Sequence, residues 1–387
     1  MIDIDASKNV GILCFSSDNL NFGANIVPFA MQKIIKSMGF TPSIIDISFT
    51  GCTSEVAENT YPMEGFRCKY LNLTQQICKS SQFYDLNRSI SIFVVGSDQV
   101  WNTLNTKQFA TKYFLDFAKE NKGLIAYSAS FGMETFIGNN SLCKKVTKLL
   151  KRFDFVSVRE SSAIDVIHSK FDKSITCMKT IDPSFLLEVT DYDEIISDQV
   201  PQTTHFAPYI GFYMLSNLYL AQEESNFTEL TKLSRLANMS LVDVSKPVIS
   251  EEKQTASMGE WLNGIKNSSL FVTDSYHGVC LSIIFKKNFA YISRLGQTRV
   301  KNLLNELGLQ DRIFNSFSDI DIEQISNSQI DYEKAYLRLQ ELKEDSRYYL
   351  WNALEKSYNK CYLKKNKRKK HIKFQKLKLM LEDFLIK

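Results

Sequence analysis

The sequence predicts an α/β protein built from two Rossmann-like domains that face each other across a cleft, followed by a C-terminal helical extension. Three observations carry this prediction. Short β-branched runs of strand length alternate with stretches of helical periodicity, the pattern of βαβ units and parallel sheets. A polar stretch at residues 188–207 ends this series, and a second series of the same kind starts at Tyr209. The length of 387 residues favours more than one domain, with material for sizeable cores.

Taken in order, "VGILCF" from Val10 reads as a strand, "NIVPFAMQKIIKSM" as an amphipathic helix closed by Gly39, and "PSIIDI" as the next strand. "SIFVVG", "LIAYSAS" and "FDFVSVR" are further strands, with helices near 141–151 and 160–169. Residues 188–207 read as a linker. The second series runs through "YIGFYML", a helix over 224–238, "LVDV", a helix around Trp261, "SLFVT", the segment "HGVCLSIIF" and "FAYI". Residues 330–360 form a C-terminal helix. The predicted domains are therefore 1–190, 208–325 and a helical extension with a basic tail, 330–387.

Composition narrows the function classes. The net charge is +4, but residues 364–378 contain nine Lys or Arg and no acid, so removing that +9 from +4 leaves −5 for the rest. A basic nucleic-acid-binding face is not indicated. No apolar run reaches the ~20 residues of a membrane span, and the acidic start lacks the pattern of a secretory signal. A cytoplasmic protein is expected. The eight cysteines show no C-x-x-C pair, so reduced, mostly buried thiols are expected rather than disulfides or a zinc site. No metal requirement follows.

Candidate site residues lie where strands end, since ligands of open α/β sheets bind beyond the carboxyl ends of strands. After "SIFVV" come Gly96, Ser97, Asp98, Gln99, Trp101 and Asn102. They form either a binding loop or an Asp/Asn turn with Trp101 packed as core. Asn21 and Gly23 stand at a helix N-terminus, which is either a seat for an anion or a tight turn. Arg159 ends a strand and can grip a carboxylate or phosphate through paired hydrogen bonds; its alternative is a surface ion pair. His277 and Gly278 open an apolar helix after a strand, with Asp274 and Ser275 as candidate caps. A histidine there can act as general acid or base, or be a structural residue.

The ordered set "NFGA", "VVGSDQVWN", "IAYSASFG", "VSVRE", "IDPSFLL" and "TDSYHGVCLSIIF" resembles the polysaccharide pyruvyl transferase family, over residues from about 10 to 315. The resemblance implies a glycosyltransferase-B-like pair of domains, with the acceptor on the first and the donor on the second. It implies phosphoenolpyruvate as donor, used as a co-substrate with no resident cofactor, and a sugar of a surface polysaccharide or its lipid-linked precursor as acceptor. The product is a pyruvate ketal, with release of phosphate. His277 matches the family's histidine and would be the acid, and Arg159 its strand-end arginine, holding the donor's anionic groups. Ser275 stands where some members carry an arginine, and Arg294 or Arg299 would supply the missing charge. The loops at Asn21, Gly23 and Ser97–Asn102 would line the acceptor side. A nucleotide-sugar glycosyltransferase of the same fold and a catalytically silent glycan-binding protein are the alternatives. The basic tail, followed by Leu379, Met380, Leu381, Phe384, Leu385 and Ile386, offers a peripheral contact with the inner face of a membrane or, alternatively, is a solvated charge run.

Overall fold

The computed structural model describes residues 6–16, 21–48, 62–201, 207–220, 222–247, 255–294, 298–327 and 330–385, with side chains on the last helix as far as Leu363. Residues 17–20 of the first loop, Cys52 and the side chains of the basic tail lie outside the described residues.

The first sheet holds β1 (Asn9–Leu13), β2 (Thr41–Ile44), β3 (Ile92–Val95), β4 (Gly123–Ala129), β5 (Phe155–Val158) and β6 (Met178–Lys179), all parallel, in the order β2-β1-β3-β4-β5-β6. The second holds β7 (Tyr209–Tyr213), β8 (Ser240–Asp243), β9 (Leu270–Thr273), β10 (Phe289–Ile292) and β11 (Ile313–Phe314), also parallel, in the order β11-β10-β9-β7-β8. The strand order reverses between β1 and β3 in one sheet and between β7 and β9 in the other. Such switch points open crevices at the carboxyl edge. The loop after β3 carries Asp98, and the helix Tyr276–Ile284 that follows β9 carries His277 in its first turn.

Local chemistry explains the elements. Every residue of β3 and β9 is buried, as covered strands of a parallel sheet require. Helix Phe22–Ser37 starts at Asn21, whose side chain accepts the Ala24 N–H, and stops at Gly39, where φ of +82° suits glycine and Phe40 N–H reaches Ile35 O.

Two sequence expectations need correction. The stretch read as a linker contains the helix Val189–Gln199, whose Tyr192 and Ile195 are buried and whose Lys266–Asp193 ion pair ties it to the helix Met258–Asn267 of the second domain. Its four apolar positions, Val189, Tyr192, Ile195 and Ile196, fall on one helical face, and that sparse stripe is masked by the surrounding acids. Cys78 is disulfide-bonded, while Cys14, Cys68, Cys143, Cys177, Cys280 and Cys361 are free. Its partner lies outside the described residues. A disulfide depends on the approach of two Cβ atoms in space, which spacing along the chain does not reveal.

The final helix, Tyr332–Leu385, has 54 residues and spans about 80 Å. It straps the domains together. Tyr336 Oη donates to Ile283 O and Ile284 O of the second domain at 2.9 Å, whereas Tyr349 Oη donates to Ala126 O of the first at 3.0 Å, and Lys360 pairs with Asp154 at 2.6 Å. The domains also meet directly. Phe22 of the first stacks on Trp261 of the second at 4.8 Å and meets Tyr213 edge-on at 5.7 Å, contacts worth about 0.5–1.5 kcal/mol each beyond their buried area. No described helix is long and apolar enough to cross a membrane.

Candidate active site

Arg159 follows the last residue of β5 and is the hub of the site. Its Nη1 donates to Asp182 Oδ2 at 3.0 Å, its Nη2 to Asp98 Oδ1 at 3.4 Å, and its Nε lies 3.8 Å from Glu160 Oε2. The guanidinium carbon lies 4.1 Å from the centroid of the Tyr276 ring, so a second-domain aromatic face covers it. The alternative of a surface ion pair is excluded by burial: the Arg159 side chain is 2% exposed.

The carboxylates are fixed by the strand-end loops. Asp98 adopts φ of +79°, and its main-chain carbonyl accepts the N–H groups of Val100 and Ser130. A non-glycine residue held there carries strain of about 1–3 kcal/mol, stored beside the arginine. Asp182 opens the short turn Pro183–Leu186: its Oδ1 accepts Ser184 N–H at 3.0 Å and Ser184 Oγ at 2.7 Å, and its Oδ2 accepts Ser97 Oγ at 2.8 Å. Burial opposes the charge on both aspartates. It is outweighed at Asp182 by His277, Arg159 and the Ser184 N–H, and at Asp98 by Arg159, His277 and Arg299, so both carboxyls sit below the ordinary range. Glu160 behaves oppositely. Burial is its largest influence and raises its pKa, although Arg159 and a 2.6 Å hydrogen bond from Ser130 Oγ pull the other way.

The second domain delivers the histidine. Ser275 caps the helix Tyr276–Ile284, its Oγ accepting Gly278 N–H at 3.3 Å, and His277 thereby points into the first domain. Its Nε2 is 3.6 Å from Asp182 Oδ2, longer than a hydrogen bond but within reach of a charge pair. On the other side is Gly23, where a Cβ would lie 2.2 Å from His277 Nδ1. Only a residue without a side chain lets the ring approach so closely.

Of the two arginines offered in place of the family's missing one, Arg299 enters the cluster and Arg294 stands aside. Arg299 Nη1 is 3.9 Å from Asp98 Oδ1, and its guanidinium carbon is 5.9 Å from the Tyr276 ring centroid. With the Gln99 amide turned so that its oxygen faces Arg299, both terminal nitrogens donate to it at 2.9 and 3.1 Å. Burial and the nearby Arg159 lower the pKa of Arg299, against the pull of Asp98 and Glu160. Arg294 pairs with Asp274 at 3.3 Å, and Asp274 in turn accepts the N–H groups of Leu215 and Ser216.

Several sequence candidates have structural partners. Trp101 is core: it stacks on Phe114 at 5.3 Å and donates Nε1–H to Tyr113 O at 3.0 Å, so it braces the loop from beneath. Gly278 lies so close to Thr273 that a Cβ would meet its Oγ1 at 2.7 Å. Asn102 caps the turn that follows, accepting Leu104 N–H at 3.0 Å. Gly96 backs onto Cys14, where a Cβ would stand 3.1 Å from the cysteine's own. The centre of the cluster is buried, while Asn21, Gln99 and Arg294 around it are half-exposed.

Sequence reasoning missed three members: Asp182, Glu160 and Tyr276. Glu160 and Tyr276 are chain neighbours of candidates, and Asp182 begins the quoted "DPSF" stretch. The signal for Asp182 was present in that Asp-Pro turn after a strand-like segment.

The family model for polysaccharide pyruvyl transferase matches residues 21–295 of this chain, which includes every member of the cluster except Arg299. No curated protein matches. Among solved structures, the chain is similar to a Thermobaculum terrenum O-GlcNAc transferase mutant at 11% identity, covering 93% of this chain and 70% of that one with a TM-score of 0.42. It is also similar to Medicago truncatula UGT71G1 complexed with UDP-glucose, at 12% identity, covering 93% of this chain and all of that one with a TM-score of 0.41.

Proposed function

The chain belongs to the polysaccharide pyruvyl transferase family, and we propose that it moves the pyruvyl group of phosphoenolpyruvate onto a sugar of a surface polysaccharide or its lipid-linked precursor. The observation that carries this reading is the meeting of Arg159, Arg299 and His277 in one water-excluded cluster at the carboxyl edges of both sheets. Two guanidinium groups match the carboxylate and phosphate of a small dianionic or trianionic donor. His277 protonates the methylene carbon of the enol, which leaves cation-like character on the adjacent carbon. A sugar hydroxyl attacks that carbon and passes its proton to His277, which the first step left deprotonated. A second hydroxyl then displaces phosphate, its proton leaving with the phosphate, and the ketal closes. Exclusion of water keeps the activated donor from hydrolysis.

The test is incubation of the purified protein with phosphoenolpyruvate and a panel of soluble and lipid-linked glycans. Phosphate release that depends on acceptor, with acceptor mass raised by a pyruvyl group, is the expected result. A product carrying a hexose from a nucleotide sugar would overturn the reading.

Gly23→Ala is a sharper probe of the geometry. Alanine favours a helix over glycine by ~1 kcal/mol, so the helix Phe22–Ser37 should hold, yet the new methyl group would displace the His277 ring. Turnover is expected to fall on the order of 10²-fold, as for loss of a placed acid. Steady-state rates alongside circular dichroism check this, and full activity in the variant would remove the His277–Gly23 contact from the mechanism.

The proposed location is the cytoplasmic face of a membrane. What supports a peripheral contact is that Trp351, Tyr362 and Leu363 on the final helix are exposed and lead into the run of nine basic residues. Sedimentation with vesicles rich in anionic lipid is expected to weaken with added salt and on removal of residues 361–387. Unchanged binding by the truncated protein would refute it.

A further inference from the structure

We infer that Asp182, on the first domain, is the positioning residue for His277, on the second, so that the proton donor is assembled from both domains. This rests on the pyruvyl-transfer reading for the word donor, but its geometry does not.

Asp182 is fully buried and immobile by construction. One carboxylate oxygen takes the N–H and hydroxyl of Ser184, and the other takes Ser97 Oγ and Arg159 Nη1. Those donors come from the loop after β3, the end of β5 and the turn that Asp182 itself opens. The second oxygen also faces His277 Nε2 at 3.6 Å. Around the rest of the ring stand Gly23, against Nδ1, and Tyr276, whose ring is perpendicular at 5.3 Å between centroids. The imidazole is thus clasped by two surfaces of the other domain, one anionic and one without a side chain.

The separation of 3.6 Å matters. Nε2 is buried without a hydrogen-bond partner, so the carboxylate attracts and aims the N–H without capturing it. Unbonded, that N–H remains available to a substrate placed beside it. The carboxylate is ionised at working pH: burial resists its charge, but His277, Arg159 and the Ser184 N–H more than compensate. Asp182 touches no substrate in this account. Its action passes through the histidine, as that of the aspartate does in a serine protease triad.

The alternative is that Asp182 serves only as a counter-ion for Arg159. Two measurements separate the roles, both on the full chain. The first is the ¹⁵N–¹H spectrum of the histidine rings with no substrate present, the His277 signals being identified by their loss in His277→Gln. Asp182→Asn keeps the size and the Ser184 contacts but removes the charge. It is expected to shift the His277 ring nitrogens and redistribute the ring tautomers. The second is the kinetic split: kcat should fall by about 10²-fold or more while the phosphoenolpyruvate KM stays within about threefold, because Arg159 retains Asp98 and Glu160. Unchanged ring signals, or a raised KM with kcat intact, would overturn the inference in favour of the counter-ion role. If Asp182→Asn does not fold, Gly23→Ala leaves Asp182 and Arg159 in place and dislodges the ring from the other side. The same ring signals should move, and their constancy would overturn the inference equally. Ring signals that respond in a protein which consumes no phosphoenolpyruvate would support the positioning role and reject the donor assignment instead.

Discussion

His277→Ala is expected to lower kcat by about 10²- to 10⁴-fold while the protein keeps its fold. Among the described residues the imidazole is the only histidine ring of the cluster, and it bridges the domains between Gly23 and Asp182. In the proposed reaction, its loss removes the acid that would protonate the donor's methylene carbon. The helix that carries it does not depend on it, since Ser275 still caps the first turn and Val279, Leu281 and Ile283 remain buried. Asp182 keeps Ser97, Ser184 and Arg159 as partners, so no carboxylate is left bare. The measurement pairs kcat and the phosphoenolpyruvate KM with a melting curve. A well-folded variant with near wild-type kcat would take His277 out of the mechanism.

Arg159→Ala should damage both stability and function. The side chain is sealed in the interior, where it faces Asp98, Glu160 and Asp182 at once. Removing one partner of a buried ion pair costs about 3–5 kcal/mol, because the charge left behind is desolvated and uncompensated. Donor binding should weaken together with turnover, since an anion clamp acts before and during the chemical step. The stability loss should depend on pH with a definite sign. Asp98 and Asp182 have depressed folded-state pKa values, so their contribution is present above the unfolded value of about 4 and is lost as pH falls through the lower folded value. The difference between wild type and Arg159→Ala is therefore largest near neutrality and shrinks below about pH 4. Denaturant titrations at several pH values read it directly, and a gap independent of pH would show that the arginine stabilises by packing alone.

The element order was legible because a buried strand and an amphipathic helix write their burial along the chain. Val10–Leu13, Ile92–Val95 and Leu270–Thr273 are apolar runs of strand length, and each is a strand. Elements that bury little were not legible. β6 and β11 have two residues each, too few to show a period, and the helix Val189–Gln199 presents its four apolar side chains among acids.

At the site, the sequence alone determined the residue types and their addresses. Arg159 stands at a strand end, His277 at a strand-to-helix junction, and Gly23 in the first turn of a helix, and each lies where local pattern placed it. Only the tertiary structure decided which of these meet. It brought Asp182 beside His277, 95 residues further along the chain and on the other domain. It turned Trp101 into core, and chose Arg299 over Arg294 as the second cation near Tyr276. The reason is physical: periodicity records how buried a side chain is, a quantity fixed by its own element. The partner of a buried charge is fixed by distances between elements, and those are set by how the two sheets, the Phe22–Trp261 contact and the C-terminal helix pack against one another.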